Sequence, residues 1–326
     1  MSSTPAESLS EIRKAAARIE PHIISTPFVQ SPWISDLAQT EVFVKWESLQ
    51  LTGSFKLRGA LNKMTILKER GVRDALAASA GNHGLGVAHA ARLLDMRASI
   101  VVPANAAQTK VDAIRSCGAE LIACGENYDE AESAGRAMAE ERKVEFVSPY
   151  NDLDIIVGQA TAALEILEDN SIDLLLVPVG GGGLLAGAAL AARALGASVS
   201  IVGVQAANSP AMYSSFREGR LVAVGESPTC ADGLSGNIER DAITFPIIRD
   251  YVSDIVLVEE SNIEKAVIEF LKHDHMVVEG SGAVCAAAFL EGKISAQNKK
   301  IGMIVTGRNI DLSRLEAILK KKRLVS

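Results

Sequence analysis

Short, nearly all-apolar runs alternate along this chain with longer alanine-rich runs, and that alternation constrains its fold more than any other feature. Residues 98–103, 173–179, 199–204, 254–258 and 301–306 read as strands, each short and rich in β-branched residues. Segments 161–167, 184–195 and 263–271 carry Ala and Leu at spacings of three and four, the helical period. A strand that is apolar on both faces has to be covered on both. The pattern therefore predicts an α/β protein whose mainly parallel twisted sheets are flanked by helices. Ligands of such sheets gather at the carboxyl ends of the strands. Three unusual loops fall there: 79–84, 180–183 and 306–309.

Composition narrows the function classes. The 326 residues are 48% hydrophobic and 22% charged, which suits a globular protein and not a disordered one. A net charge of −7 leaves no basic surplus to neutralise phosphates, and 4% aromatics offer little for base stacking, so no nucleic-acid partner is expected. No stretch reaches the roughly 18 consecutive apolar residues of a membrane span. Residues 1–18 are polar and helical in pattern, without the apolar core of a secretion signal. Cys117, Cys124, Cys230 and Cys285 form no CxxC pair and read as small buried hydrophobes of a reducing compartment. The expectation is a cytoplasmic protein that meets neither membrane nor nucleic acid.

Gly180-Gly181-Gly182-Gly183 lies between the strand ending Val177-Pro178-Val179 and a helix starting near Leu184. Glycines let the backbone approach a ligand, and a helix N-terminus offers free N–H groups, so a phosphate fits there. The pattern is neither GxGxxG nor GxxxxGK[ST], which disfavours a dinucleotide or a nucleoside triphosphate; a plain strand-to-helix turn is the other reading. Lys56 follows Phe55 and opens a helical run. A lysine in partly apolar surroundings has a lowered pKa and can form a Schiff base, although a solvated surface lysine is the commoner case.

Taken together, the motifs resemble the threonine/serine dehydratase and serine racemase family, the fold-type II pyridoxal-phosphate enzymes. Residues 45–60, with Ser54-Phe55-Lys56-Leu57-Arg58-Gly59, resemble its lysine motif. Ser79-Ala80-Gly81-Asn82-His83-Gly84 resembles its asparagine loop, and Gly180 to Gly183 its phosphate cup. Glu279-Gly280-Ser281-Gly282-Ala283 and Thr306-Gly307-Arg308-Asn309 resemble its last two cofactor-side elements. These elements stand in the family's order across nearly the whole chain. The resemblance implies pyridoxal 5′-phosphate as cofactor, with Lys56 as Schiff-base lysine and base at Cα. Phe55 would pack beside the ring, Asn82 would bond the ring hydroxyl, and Thr306 the pyridine nitrogen. Gly180, Gly181, Gly182 and Gly183 would bind the phosphate through their N–H groups, and Glu279 would lie near the ring edge. Ser79, Ala80, Gly81, Asn82 and His83 would form the substrate loop.

The activity so implied is loss of water from a threonine- or serine-like β-hydroxy L-amino acid, giving a 2-oxo acid and ammonia. A hydroxyl at the pyridine nitrogen cannot keep it protonated as a carboxylate would, which favours prompt β-elimination over transamination. The resemblance also implies a homodimer of two-lobed subunits, with residues 1–73 and 151–326 forming the large lobe and 74–150 an inserted small lobe. A C-terminal regulatory domain is not expected, which suits the short catabolic type. Three departures stand out. Ala80 replaces the second serine that racemases use to reprotonate Cα. Gln205 and Ala211 stand where metal-binding members have carboxylates, so no divalent site is expected, and Asp232 nearby reads as structural. Arg308 replaces a small residue, and Gly307-Arg308-Asn309-Ile310-Asp311 resembles the ectoine-utilisation branch. An amino-acid racemase, a dehydratase of hydroxyectoine catabolism, β-replacement chemistry and a non-catalytic cofactor-binding protein remain as alternatives.

Overall fold

Two sheets divide the strands, and their order follows from which strands are buried on both faces. The computed structural model describes residues 5–323, so Met1 to Thr4 of the expected N-terminal helix lie outside it. Among the described residues ten strands occur: β1 (Phe28–Gln30), β2 (Val42–Trp46), β3 (Asp74–Ala78), β4 (Arg97–Val102), β5 (Glu120–Ala123), β6 (Glu145–Phe146), β7 (Leu174–Pro178), β8 (Ser200–Ala206), β9 (Asp254–Val258) and β10 (Ile301–Val305). The larger sheet has the order β1-β2-β10-β7-β8-β9 and the smaller β5-β4-β3-β6. Every pairing is parallel except that of β1 with β2. Among the described residues no helix is long and apolar enough to cross a membrane.

The five strands expected from sequence are present with ends shifted by a residue or two. Five others carried a weaker signal. β3 reads Asp-Ala-Leu-Ala-Ala, without a β-branched residue, yet Ala75 to Ala78 are buried. Its small side chains let the helix Tyr128–Arg142 come close: a Cβ on Gly135 would stand 3.2 Å from the Ala78 Cβ. Dispersion scales with such close approach, so small residues pack a sheet that propensity alone would not favour.

Alternation along β7 explains how the larger sheet is covered. Leu174 and Leu176 join the core formed with the buried helix Gly280–Leu290, whereas Leu175 and Val177 face the helices Leu153–Asp169 and Gly183–Leu195. The helix Lys56–Glu69 lies between the helix Asn82–Leu93, which covers the smaller sheet, and the helix Leu153–Asp169. Its Leu57, Leu61 and Met64 share a core with Ala75, Ile100 and Val147.

The same helix is also bound to the larger sheet's side of the molecule through buried charge. Arg58 is fully buried; its Nε and Nη2 donate to Glu47 at 2.8 and 2.9 Å, and Nη1 and Nη2 donate to Glu165 at 2.5 and 3.0 Å. Lys45 of β2 donates to Glu165 at 2.5 Å and to the Thr26 carbonyl at 2.6 Å. Burial by itself would raise the Glu47 pKa, but the Arg58 charge and hydrogen bonds, with help from Thr26 and Lys45, hold it below the usual carboxylate range. Removing Glu47 leaves two buried cations, Arg58 and Lys45, to share the one carboxylate of Glu165. Glu47→Leu is expected to lower the unfolding free energy by about 3–5 kcal/mol, read from urea titrations.

Candidate functional site

The carboxyl ends of β3, β4, β7 and β10 converge on a cavity of about 680 Å³. Phe55, Lys56, Ser79, Ala80, Gly81, Asn82, His83, Gly180, Gly181, Gly182, Gly183, Glu279 and Thr306 all line it. Residues from both sheets' loops and from the shared helix thus meet in one place.

Lys56 is the first residue of its helix, and its half-buried amine donates to the Pro149 carbonyl at 2.9 Å. Nζ also stands 5.3 Å from the centre of the Phe55 ring. Desolvation lowers its pKa from 10.5 to about 8, so an appreciable fraction of the amine is neutral and nucleophilic near physiological pH.

The glycine loop has no room for side chains on its packed side. A Cβ on Gly181 would stand 2.3 Å from the Tyr150 ring, and one on Gly180 2.9 Å from the Leu234 Cα. Gly182 has φ +91°, a left-handed conformation that glycine adopts without strain. The N–H groups of Gly180 to Gly183 find no acceptor among the described residues. Four free donors at the start of the helix Gly183–Leu195 suit an anion. Across the cavity the Thr306 hydroxyl is buried and has no hydrogen-bond partner among the described residues. An unpaired buried hydroxyl is costly, so it is fitted to a polar group of a ligand. Anion donors, an orphan hydroxyl and a reactive amine are what the phosphate, ring nitrogen and aldehyde carbon of pyridoxal phosphate require.

Asn82 opens the helix Asn82–Leu93 and donates through Nδ2 to Glu279 Oε1 at 2.7 Å. Glu279 is buried; burial first, then the Asp232 charge, raise its pKa from 4.5 to about 7, against opposing contributions from Asn82, Lys110 and the Asn309 N–H. His83 bonds the Val147 carbonyl through Nε2 at 2.8 Å. Burial and the nearby Lys56 charge outweigh that bond and lower its pKa from 6.5 to about 3, so His83 is neutral. Ser79 accepts the Gly81 N–H at 3.1 Å, which leaves its hydroxyl hydrogen for a ligand.

Sequence reasoning did not single out Asn309, Tyr150, Ser281 or Lys110, which also line the cavity. Asn309 and Ser281 lay within quoted motifs, but Tyr150 and Lys110 sit in segments with no local signature. Asp232, read as structural, is a cavity wall residue paired with Lys110 at 2.8 Å, across the mouth from the larger sheet to the helix Gln108–Ser116. Arg308 is exposed and is not part of the cavity lining. Gln205 accepts the Tyr213 N–H at 2.8 Å and so supports the helix Ala211–Glu218.

Comparison with known proteins gives this geometry a family. Residues 19–307 match the sequence model described as "Pyridoxal-phosphate dependent enzyme". The chain is 39% identical over 315 residues to the L-threonine ammonia-lyase of Thermotoga maritima, covering 96% of this chain and 78% of that one. It superposes on maize serine racemase with a TM-score of 0.89 and 34% identity, covering 97% and 98% of the two chains. The processed form of threonine deaminase isoform 2 from Solanum lycopersicum gives a TM-score of 0.91 and 32% identity, over 98% and 88%.

Two titrations test the site's electrostatics in the cofactor-free full-length protein. Lys56 is disfavoured as a cation, so its cost is present below about pH 8 and disappears above 10.5. Lys56→Met is expected to stabilise the protein at pH 7 by roughly 1–2 kcal/mol, with the gap closing as pH rises through that window. Glu279 has the opposite sign: its cost is absent below pH 4.5 and complete above about 7. Thermal melts should show wild type losing stability relative to Glu279→Gln across that interval.

Proposed function

The chain belongs to the pyridoxal-phosphate dependent enzyme family, and from that premise we propose that its cavity removes water from a threonine- or serine-like L-amino acid, releasing a 2-oxo acid and ammonia. It is an enzyme of the threonine/serine dehydratase class. When bound, pyridoxal phosphate supplies the electron sink for the pair released at Cα. In this reading Lys56 would hold the cofactor's aldehyde carbon and, once the substrate's amine had taken its place there, the freed Nζ would accept the Cα proton. Gly180 to Gly183 donate their N–H groups to the phosphate, Phe55 packs beside the ring, and Asn82 donates to the ring oxygen. The Thr306 hydroxyl meets the ring nitrogen without a negative charge, so it does not hold a proton there. The Ser79 hydroxyl and the loop through Ala80, Gly81 and His83 orient the substrate carboxylate. Glu279 supports Asn82 from behind.

The observation that carries elimination over inversion is the chemistry around Ala80. Inversion at Cα needs a second proton donor within about 3 Å on the face away from the lysine. Ala80 presents a methyl group to the cavity, and the neutral His83 spends its Nε2 proton on the Val147 carbonyl. Neither Ala80 nor His83 returns a proton to Cα, the Ser79 hydroxyl is spent on the substrate carboxylate, and the β-hydroxyl remains a ready leaving group. Exposed Arg308 does not reach the cavity wall, so it does not argue for an unusual side chain.

The reading extends to the setting of the enzyme. It treats residues 1–73 and 151–326 as one lobe and 74–150 as the other, supported by the two separate sheets. It takes the protein to be a cytoplasmic homodimer without a nucleic-acid or membrane partner. Four free cysteines suit a reducing compartment, and β1 leaves a sheet edge with half-exposed Val29 available for association.

Incubation with L-threonine and L-serine should release 2-oxo acid and ammonia in equal amounts, with little D-amino acid by chiral chromatography. Accumulation of D-amino acid as fast as 2-oxo acid would overturn the assignment. Ala80→Ser should raise the ratio of inversion to elimination. Lys56→Ala should abolish turnover. Exhaustive chelation should leave the rate unchanged, and a loss restored by Mg²⁺ or Ca²⁺ would reveal a cation site elsewhere.

A further inference from the structure

Asn82 can meet the ring oxygen in two senses. Its carboxamide offers either N–H or C=O, and the two ends are nearly identical in shape. Which end faces a ligand depends on the partners behind it. One partner is Glu279, which takes an Asn82 N–H at 2.7 Å. Glu279 alone does not fix the sense, because its raised pKa of about 7 makes it acceptor or donor near neutrality. A protonated Glu279 could equally donate to the Asn82 oxygen.

The other partner removes that freedom. Asn309 Nδ2 donates to Asn82 Oδ1 at 2.6 Å and to the Thr52 carbonyl at 2.8 Å. A backbone carbonyl can only accept, so the Thr52 contact dictates that the amino end of Asn309 points this way. Gly53, with φ +73°, makes room for the other end: a Cβ there would stand 2.5 Å from Asn309 Oδ1. With Asn309 seated, the Asn82 oxygen is occupied and one Asn82 N–H goes to Glu279. The second N–H is the polar hydrogen left to the cavity that Asn82 lines.

We propose that Asn309 is a positioning residue that locks Asn82 as a hydrogen-bond donor toward the ring oxygen of the cofactor. This rests on the placement of Asn82 at that oxygen in the proposed function. A donor stabilises the oxygen in its anionic form, whereas the flipped amide would repel it. Thr52, Gly53 and Asn309 thereby act on the cofactor through Asn82.

The test compares affinities of the cofactor-free full-length protein for pyridoxal phosphate and for its 3-deoxy analogue, which lacks the ring hydroxyl. Wild type should prefer the natural cofactor by about tenfold or more, the scale of a hydrogen bond to a charged group. Asn309→Leu should reduce that preference to within about threefold. Asn309→Asp keeps the shape but accepts where Asn309 donates, so it should turn the Asn82 oxygen to the ring and bring the preference to one or below. Thermal melts of both variants confirm folding, and the ratio of two affinities is insensitive to a general loss of stability. Full wild-type preference in both folded variants would overturn the lock. Asn82→Ala separates the two ideas: retained preference there means Asn82 does not face the ring oxygen, and the site reading fails. Lost preference in Asn82→Ala with full preference in the Asn309 variants refutes the lock alone.

Discussion

A fully buried arginine with two carboxylate partners sets the frame on which the cavity is built. Arg58 lies two residues after Lys56, in the first turn of the same helix. Its bonds to Glu47, beyond β2, and to Glu165, on the helix Leu153–Asp169, fix that turn in position and in rotation. A guanidinium satisfied on several N–H groups has one geometry, whereas apolar contacts allow neighbouring ones. The lysine amine is thus aimed by a charged network on the far side of its own helix. The glycine loop and Thr306 follow strands β7 and β10, which lie side by side in the same sheet. Their separation is therefore set by strand spacing.

Much of this was legible in the chain. Strands β4, β7, β8, β9 and β10 announce themselves through β-branched and leucine-rich runs, and the glycine run after β7 marks a loop with free N–H groups. The motif around Lys56 and the loop at Asn82 point to the site by sequence alone. What could not be read was three-dimensional. β3 is written in alanine, and only the close passage of Gly135 shows why alanine suits it. Nothing local at Lys110 signals that it reaches Asp232, 122 positions away. Glu47, Arg58 and Glu165 look like ordinary surface charges in sequence, because pairing between distant segments leaves no periodic trace. Arg308, conspicuous in sequence, turns out to face solvent.

The cavity combines two kinds of polar group that folding alone does not favour. Lys56 and Glu279 are held away from their ordinary pKa values, and Thr306 keeps a buried hydroxyl without a partner among the described residues. Each is a cost in the empty protein that a ligand with a phosphate, a ring nitrogen and an electrophilic carbon relieves. Stability and readiness for the cofactor are therefore opposed at these positions.

The helix Lys56–Glu69 is fastened by apolar packing on one side to the helix that covers the smaller sheet, and at its start to the larger sheet's surroundings by Arg58. A segment gripped by both bodies lies close to the axis about which one can turn against the other. Points on a rotation axis do not travel. If the sheets rock, the rim at Lys110 and Asp232 sweeps the widest arc, while the amine of Lys56 stays nearly still. Such a rocking would change the width of the entrance and leave the Lys56 amine in place.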